Sequence, residues 1–171
     1  EKTAIRKRYG IGADAFVVLG VGQVQTRKGV LDFVEVAKQL PDITFVWAGG
    51  FSFGKITDGY QELAQIMEHP PANVKFLGIV PRSEMNDIFN AADVLFMPSY
   101  NELFPMSILE AVNVRRPLVL RDLELYEDIL FHQYMEGTDN AQFVHALRVL
   151  KEDPQEYRRW QNASTKIADF Y

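Results

Sequence analysis

Two glutamates eight positions apart, Glu102 and Glu110, flank a point where the chain is expected to begin a helix. Just before them, Val94-Leu95-Phe96-Met97 is a short apolar run between Asp93 and Pro98, which reads as a buried strand. A loop, Ser99 to Phe104, follows. Pro105 then suits a first helical position, and Ile108, Leu109 and Val112 are spaced to form one apolar stripe. A helix start at the carboxyl end of a parallel strand presents free N–H groups and partial positive charge, which favour phosphate. Glu102 would sit ahead of that point and Glu110 behind it. Each could accept hydrogen bonds from hydroxyls on one side of a bound phosphate. A nucleotide sugar has that layout: ribose, diphosphate, hexose. Spacing alone also fits a plainer reading, because acids favour the first turn of any helix.

The composition narrows the classes. The chain has 171 residues, 47% hydrophobic and 24% charged, enough for one domain with a sizeable core. A net charge of −5 argues against a broad nucleic-acid surface. The chain has no cysteine, which excludes disulfides, thiol catalysis and thiolate-bound zinc. No apolar run approaches the ~18 residues of a membrane span. The first residues, EKTAIRKRYG, are charged, carry no signal-peptide core and do not begin with methionine, so an excised fragment is expected. His69, His132 and His145 are scattered and are expected to be surface or structural residues.

The elements that must position the glutamates alternate in type. A short helix is expected over 2–9, a strand over 16–21, a polar loop over 22–29 and a helix over 30–40. A second strand over 43–48 meets Gly49-Gly50, where the backbone turns sharply. A loop over 51–59, a helix over 60–68 and a third strand over 74–77 come next. Ser83 is expected to cap a helix running to Asn90. After the central strand and helix, a fifth strand spans 117–120, with loop and short helix over 121–129 and a last short strand over 134–137. Asn140 is expected to cap a helix to Lys151, and Asp153-Pro154 to open a final helix. This alternation demands a doubly wound, three-layered α/β domain with a parallel, Rossmann-like sheet over the whole of 1–171. Ligands of such sheets lie at the strands' carboxyl ends, here the loops 22–29, 49–59, 78–82 and 98–105.

In that order the residues resemble the C-terminal half of a GT-B fold, family 4 retaining glycosyltransferase. The similarity rests on Asp93-Val94, Pro98-Ser99, Glu102 and Glu110-Ala111, on a phosphate-loop-like run ending in Lys28-Gly29, on Phe76-Leu77-Gly78 with Val80-Pro81, and on Pro117-Leu118-Val119. It implies a nucleoside-diphosphate sugar, UDP-hexose for preference, as donor. Glu102 would be the catalytic contact to the donor sugar. The implied donor-binding set is Gly22, Gln23, Lys28, Gly50, Ile79, Val80, Phe104, Met106, Ser107 and Glu110. In it Lys28 would pair with the diphosphate, the backbone of Ile79 and Val80 would meet the base, Met106 and Ser107 would lend N–H groups, and Glu110 would hold the ribose. The resemblance implies no metal and no cofactor, and the chain contains no Asp-x-Asp. It implies a partner as well: an N-terminal half that binds the acceptor, in a cytoplasmic enzyme peripheral to the inner face of a membrane if the acceptor is a glycolipid.

Three positions depart from the family pattern. Gln23 stands where arginine is common, with Arg27, Arg82 and Arg121 as alternative cations. Leu103 and Pro105 stand where glycines are usual, and Asn113-Val114-Arg115-Arg116 replaces a glycine-containing turn. Alternatives are therefore a partner-binding or nucleotide-sugar-binding module that has lost transfer, or half of a nucleotide-sugar 2-epimerase. A response-regulator-like domain expects clustered acids after its first strand, and GVGQVQ has none.

Overall fold

The computed structural model of the chain describes residues 2–50, 60–102 and 106–171, with the backbone alone at Tyr60. Phe104, Leu103, Pro105 and the loop 51–59 lie outside the described residues. Among the described residues six strands, β1 (Val17–Val21), β2 (Thr44–Ala48), β3 (Val74–Gly78), β4 (Val94–Met97), β5 (Leu118–Arg121) and β6 (Met135–Gly137), form one sheet in the order β3-β2-β1-β4-β5-β6, and their pairings are parallel. Among the described residues eight helices connect and cover them: α1 (Lys2–Arg8), α2 (Val30–Gln39), α3 (Tyr60–Glu68), α4 (Arg82–Ala91), α5 (Met106–Asn113), α6 (Glu124–Leu130), α7 (Asn140–Glu152) and α8 (Pro154–Phe170).

The period of two along each strand sorts the core into two layers. Val18, Phe45, Trp47, Val94, Phe96 and Val119 face α2, α3 and α7. Val17, Leu19, Val46, Leu95, Met97, Leu118 and Leu120 face α4, α5 and α6. Phe33 of α2 anchors the first layer, with ring centroids 5.4 Å from Phe45, 5.0 Å from Trp47 and 5.6 Å from Phe96. Helix α8 serves both layers: Tyr157 and Trp160 pack on the first, Ile167 and Ala168 on the second. Phe170 and Tyr171 remain exposed beside Phe131.

Strand order reverses between β1 and β4, and one carboxylate fixes that seam. Asp93 Oδ2 accepts from Val17 N at 2.8 Å and from Arg6 Nη2 at 2.9 Å, and its Oδ1 accepts from Lys2 Nζ at 2.6 Å. Arg6 is only 2% exposed and also donates to the carbonyls of Ala13, Ala15 and Ala91. The parallel pairing of β1 with β4 thus begins at a charged, fully bonded staple rather than at an apolar contact.

Several boundaries differ from the sequence expectation. Arg82 already starts α4 after Pro81, so Ser83 lies inside the helix, is exposed and does not cap it. Asp139, not Asn140, caps α7 by accepting from Gln142 N. Arg121 belongs to β5, where it pairs in register with Gly137, and is buried rather than in a loop. A 3-10 turn, Thr26–Lys28, interrupts the loop expected to be irregular. The glycine missing from the turn after α5 is replaced by Arg115 itself, held at φ 62° while its N–H and that of Arg116 bond back to Val112 and Ala111.

Removing Asp93 leaves Arg6 buried without its counter-charge, so Asp93→Ala is expected to lower the unfolding free energy by about 3 kcal/mol, read from urea denaturation. Burial pushes the Tyr157 hydroxyl up to about 12, with the negative charge of Asp93 adding to the effect. A folded-state value above the unfolded one gives stability that is whole below about pH 10 and is lost as pH rises from 10 towards 12. Tyr157→Phe is therefore expected to flatten the fall in denaturation midpoint over that interval.

Candidate functional site

The carboxyl ends of β1, β2 and β3 and the start of α5 enclose a cleft of about 340 Å³. Gly22, Gln23, Gly50, Ile79, Val80, Ser107 and Glu110 line it, seven of the residues singled out from the sequence. Val21, Ala48, Gly49, Arg82 and Met85 complete the wall. The backbone sets this shape. Gly49, at φ 142°, approaches Gly22 so closely that a Cβ would stand 1.8 Å from the Gly22 carbonyl oxygen. Gly22 N bonds Ala48 O, Gly49 N bonds Gly78 O and Val24 N bonds Gly50 O, so three loops share one hydrogen-bonded floor.

Ile79 is 79% exposed at one side of this floor, and Glu110 sits half-buried on α5 with Arg82 Nη1 at 3.5 Å. Met106 opens α5 and is exposed; Ser107 follows it into the cleft. The opening N–H groups of a helix have no partner within it and carry partial positive charge. An anionic group in the cleft would meet them and Arg82 together.

Next to the cleft, Lys28 Nζ lies 2.9 Å from Glu102 Oε2, with side chains 15% and 9% exposed. The Lys28 stem runs past Gly22, close enough that a Cβ there would stand 3.4 Å from it, so the pair borders the lined space. Two residues 74 apart in sequence meet because their loops are tied. Tyr100 N donates to Arg27 O at 2.9 Å and Ser99 Oγ to Lys28 O at 3.4 Å. Gly29, at φ 78°, packs on Pro98, whose carbonyl oxygen would stand 2.4 Å from any Cβ there.

The three alternative cations separate clearly. Arg82 reaches the cleft. Arg27 is exposed and bonds Asn101 Oδ1 and Gln25 Oε1. Gln25 in turn donates to Gln23 Oε1 at 2.6 Å, which leaves the Gln23 amide nitrogen as its donating end. Arg121 does not reach the cleft: its guanidinium donates to Pro98 O, Thr138 O and Asp32. That role has no signal in local spacing, since its partners lie 17 to 89 residues away. The histidines are less scattered than expected, because His132 and His145 line a second cleft, beside Trp160, that shares no residue with the first.

Over residues 1–167 the chain matches the family model described as glycosyl transferases group 1. The chain belongs to that family. It is 43% identical over 171 residues, its whole length, to the alpha-galactosylglucosyldiacylglycerol synthase of Streptococcus pneumoniae, of which it covers 46%. It is 35% identical over 156 residues, 90% of the chain, to the processive diacylglycerol alpha-glucosyltransferase of Acholeplasma laidlawii, again covering 46% of that protein. The chain thus spans about half the length of the curated relatives it matches. Among solved structures, HepE of Anabaena in complex with UDP-glucose superposes with a TM-score of 0.85 over 99% of this chain and 48% of that one, at 22% identity. The C-terminal domain of the group 1 glycosyl transferase LpcC from Francisella tularensis superposes with a TM-score of 0.79, covering 99% of this chain and 92% of that domain, at 19% identity. These two likenesses show the Rossmann-like fold. Membership of a glycosyl transferase family sets aside the epimerase and response-regulator alternatives.

Lys28→Met leaves a nearly buried carboxylate unpaired, and is expected to cost about 1–3 kcal/mol of stability. Adding Glu102→Gln is expected to recover most of that loss. A double-mutant cycle in urea measures the coupling, and additive losses would show that the ion pair does not form in solution.

Proposed function

We propose that this chain is the donor-binding half of a retaining glycosyltransferase that moves a hexosyl group from UDP-hexose to a hydroxyl of a membrane glycolipid. The observation that carries the reading is the cleft itself, which brings Glu110, Ser107, Ile79 and Val80 to one floor and places Lys28 and Glu102 at its border. In this reading the base lies against the Ile79 and Val80 backbone, and the Glu110 carboxylate accepts from the ribose hydroxyls. The diphosphate rests at the start of α5, near Lys28 and Arg82. Lysine suits that place as a compact point charge for phosphate.

Lys28 and Glu102 would exchange partners when the donor enters. The diphosphate takes the ammonium, and Glu102, released from its ion pair, accepts from the hexose hydroxyls. In transfer the bond between the anomeric carbon and the diphosphate oxygen breaks, the acceptor hydroxyl oxygen bonds the same carbon on the same face, and the hydroxyl proton passes to the departing diphosphate. Negative charge grows on the departing diphosphate, where preorganised N–H groups and a cation lower the barrier most. The reading gives this task to protein groups rather than to a divalent ion.

The glycolipid acceptor is supported by the two curated relatives, whose names are those of a galactosylglucosyldiacylglycerol synthase and a diacylglycerol glucosyltransferase. We assign acceptor binding, and contact with the inner face of the membrane, to a second domain that pairs with this one. No helix among the described residues is long and apolar enough to cross a membrane.

Titration calorimetry on the full-length protein tests the assignment. Glu110→Ala is expected to weaken UDP about tenfold, the value of losing one charge-assisted hydrogen bond pair. Glu102→Ala is expected to weaken UDP-hexose well beyond UDP, and EDTA to change neither. Absence of UDP binding near millimolar concentration by the unmodified protein would overturn the donor reading. Equal effects of both substitutions on both ligands would overturn the roles.

A further inference from the structure

Arg121 ends β5 and is 8% exposed, yet it faces the loop that bears Glu102 rather than the cleft. Its Nε donates to Pro98 O at 3.0 Å, and its guanidinium carbon lies 3.9 Å from the centroid of the Tyr100 ring. Nη2 reaches Asp32 Oδ2 at 3.2 Å. Asp32, in the first turn of α2, accepts from the Tyr100 hydroxyl on the same oxygen and from Asn140 Nδ2 at 3.1 Å on the other. Arg121, Tyr100 and Asp32 therefore close a ring of contacts in which every charged group is matched. Two of the ring's attachments, the Pro98 carbonyl and the Tyr100 side chain, are on the stretch between β4 and Glu102.

A buried arginine is not needed here for burial of area, since apolar side chains would serve the core as well. What a guanidinium adds is a planar, rigid set of donors that can stack on a ring and bond a carbonyl and a carboxylate together. The bonds from the Ser99 hydroxyl to Lys28 O and from Tyr100 N to Arg27 O then carry this rigidity to the Lys28 side of the site.

We propose that Arg121 is a positioning residue for the donor sugar: by clamping Pro98 and Tyr100 against Asp32, it holds the Glu102 carboxylate where a hexose must be met. The proposal rests on the donor reading above. Arg121 touches no cleft-lining residue used for the base or the ribose, so its loss should separate the two parts of the donor. In the full-length protein, Arg121→Met is expected to weaken UDP-glucose or UDP-galactose, whichever the unmodified protein binds, by about tenfold while changing UDP less than about threefold. Tyr100→Phe keeps the ring under the guanidinium and gives up only the bond to Asp32, so its loss should be intermediate. Arg121→Lys keeps the charge without the planar stack and should fall near Arg121→Met rather than near the unmodified protein.

Calorimetry with UDP and with the UDP-sugar reads the split, and thermal unfolding of each variant reads stability in parallel. A purely structural role predicts equal weakening of UDP and UDP-sugar, or none in variants that remain folded; either result with normal binding by the unmodified protein overturns the clamp alone. Failure of the unmodified protein to bind either ligand overturns the donor reading and the clamp with it. Should Arg121→Met not fold, Tyr100→Phe decides the matter by the same ratio.

Discussion

The Asp93 carboxylate, at the base of the seam between β1 and β4, is the constraint from which the site follows. A doubly wound sheet opens a crevice where strand order reverses, and here that reversal separates β2 and β3 from β5 and β6. Only two residue pairs, Val18 with Val94 and Leu19 with Leu95, are in register across the seam. So short a pairing would tolerate slippage, and a slip of one residue would turn every side chain to the wrong layer. Asp93 forbids it by accepting the Val17 N–H directly and by holding Arg6, which is bonded in turn to the carbonyls of Ala13 and Ala15 before β1 and of Ala91 before β4.

With register fixed at the base, the loops leaving the upper ends of β1 and β4 emerge side by side. Their contact is made by backbone as much as by side chain: Gly29 under Pro98, Tyr100 N on Arg27 O. The close approach of Gly49 to Gly22 does the same between β1 and β2. The cleft is therefore an outcome of strand order and a few positions where no side chain fits. Lys28 and Glu102 are then brought within an ion-pair distance with no need for proximity in sequence.

How much of this could be read beforehand follows from the range of each interaction. Strands and helices were legible because apolar period is local: the runs at 17–21 and 94–97 and the stripe Ile108, Val112 mark themselves. Helix starts were less so. Ser83 has the right chemistry for a cap, but the backbone after Pro81 turns helical one residue too early to use it. The loops 78–82 and 98–105 were legible because strand alternation alone puts them at the carboxyl ends of the sheet; Ile79, Val80 and Ser107 were named within and beside them only through the family resemblance, and Glu110 through that resemblance and its spacing from Glu102. Arg121 was not legible, since whether an arginine at the end of a strand points to solvent or inward depends on Asp32 of α2 and on Pro98 and Tyr100 of the loop after β4, all distant in sequence. Arg82 could be named only as one of three cations, and geometry separates them.

The departures from the family pattern bear on whether the site is kept or fading. A site released from use loses its costly features first, and the costly feature here is the Lys28–Glu102 pair. Both side chains are largely withdrawn from water, where two charges must recover their lost hydration from each other. An apolar pair of similar volume would stabilise the two loops as well or better. Stability therefore gives no reason for an ammonium and a carboxylate to be there. The substitutions nearby do not undo them: Gln23 is oriented through Gln25 by Arg27, and Arg115 takes up the left-handed turn that glycine would have made. On the donor reading proposed above, the pair is there for the diphosphate and the hexose it would meet, and not for the stability of the two loops.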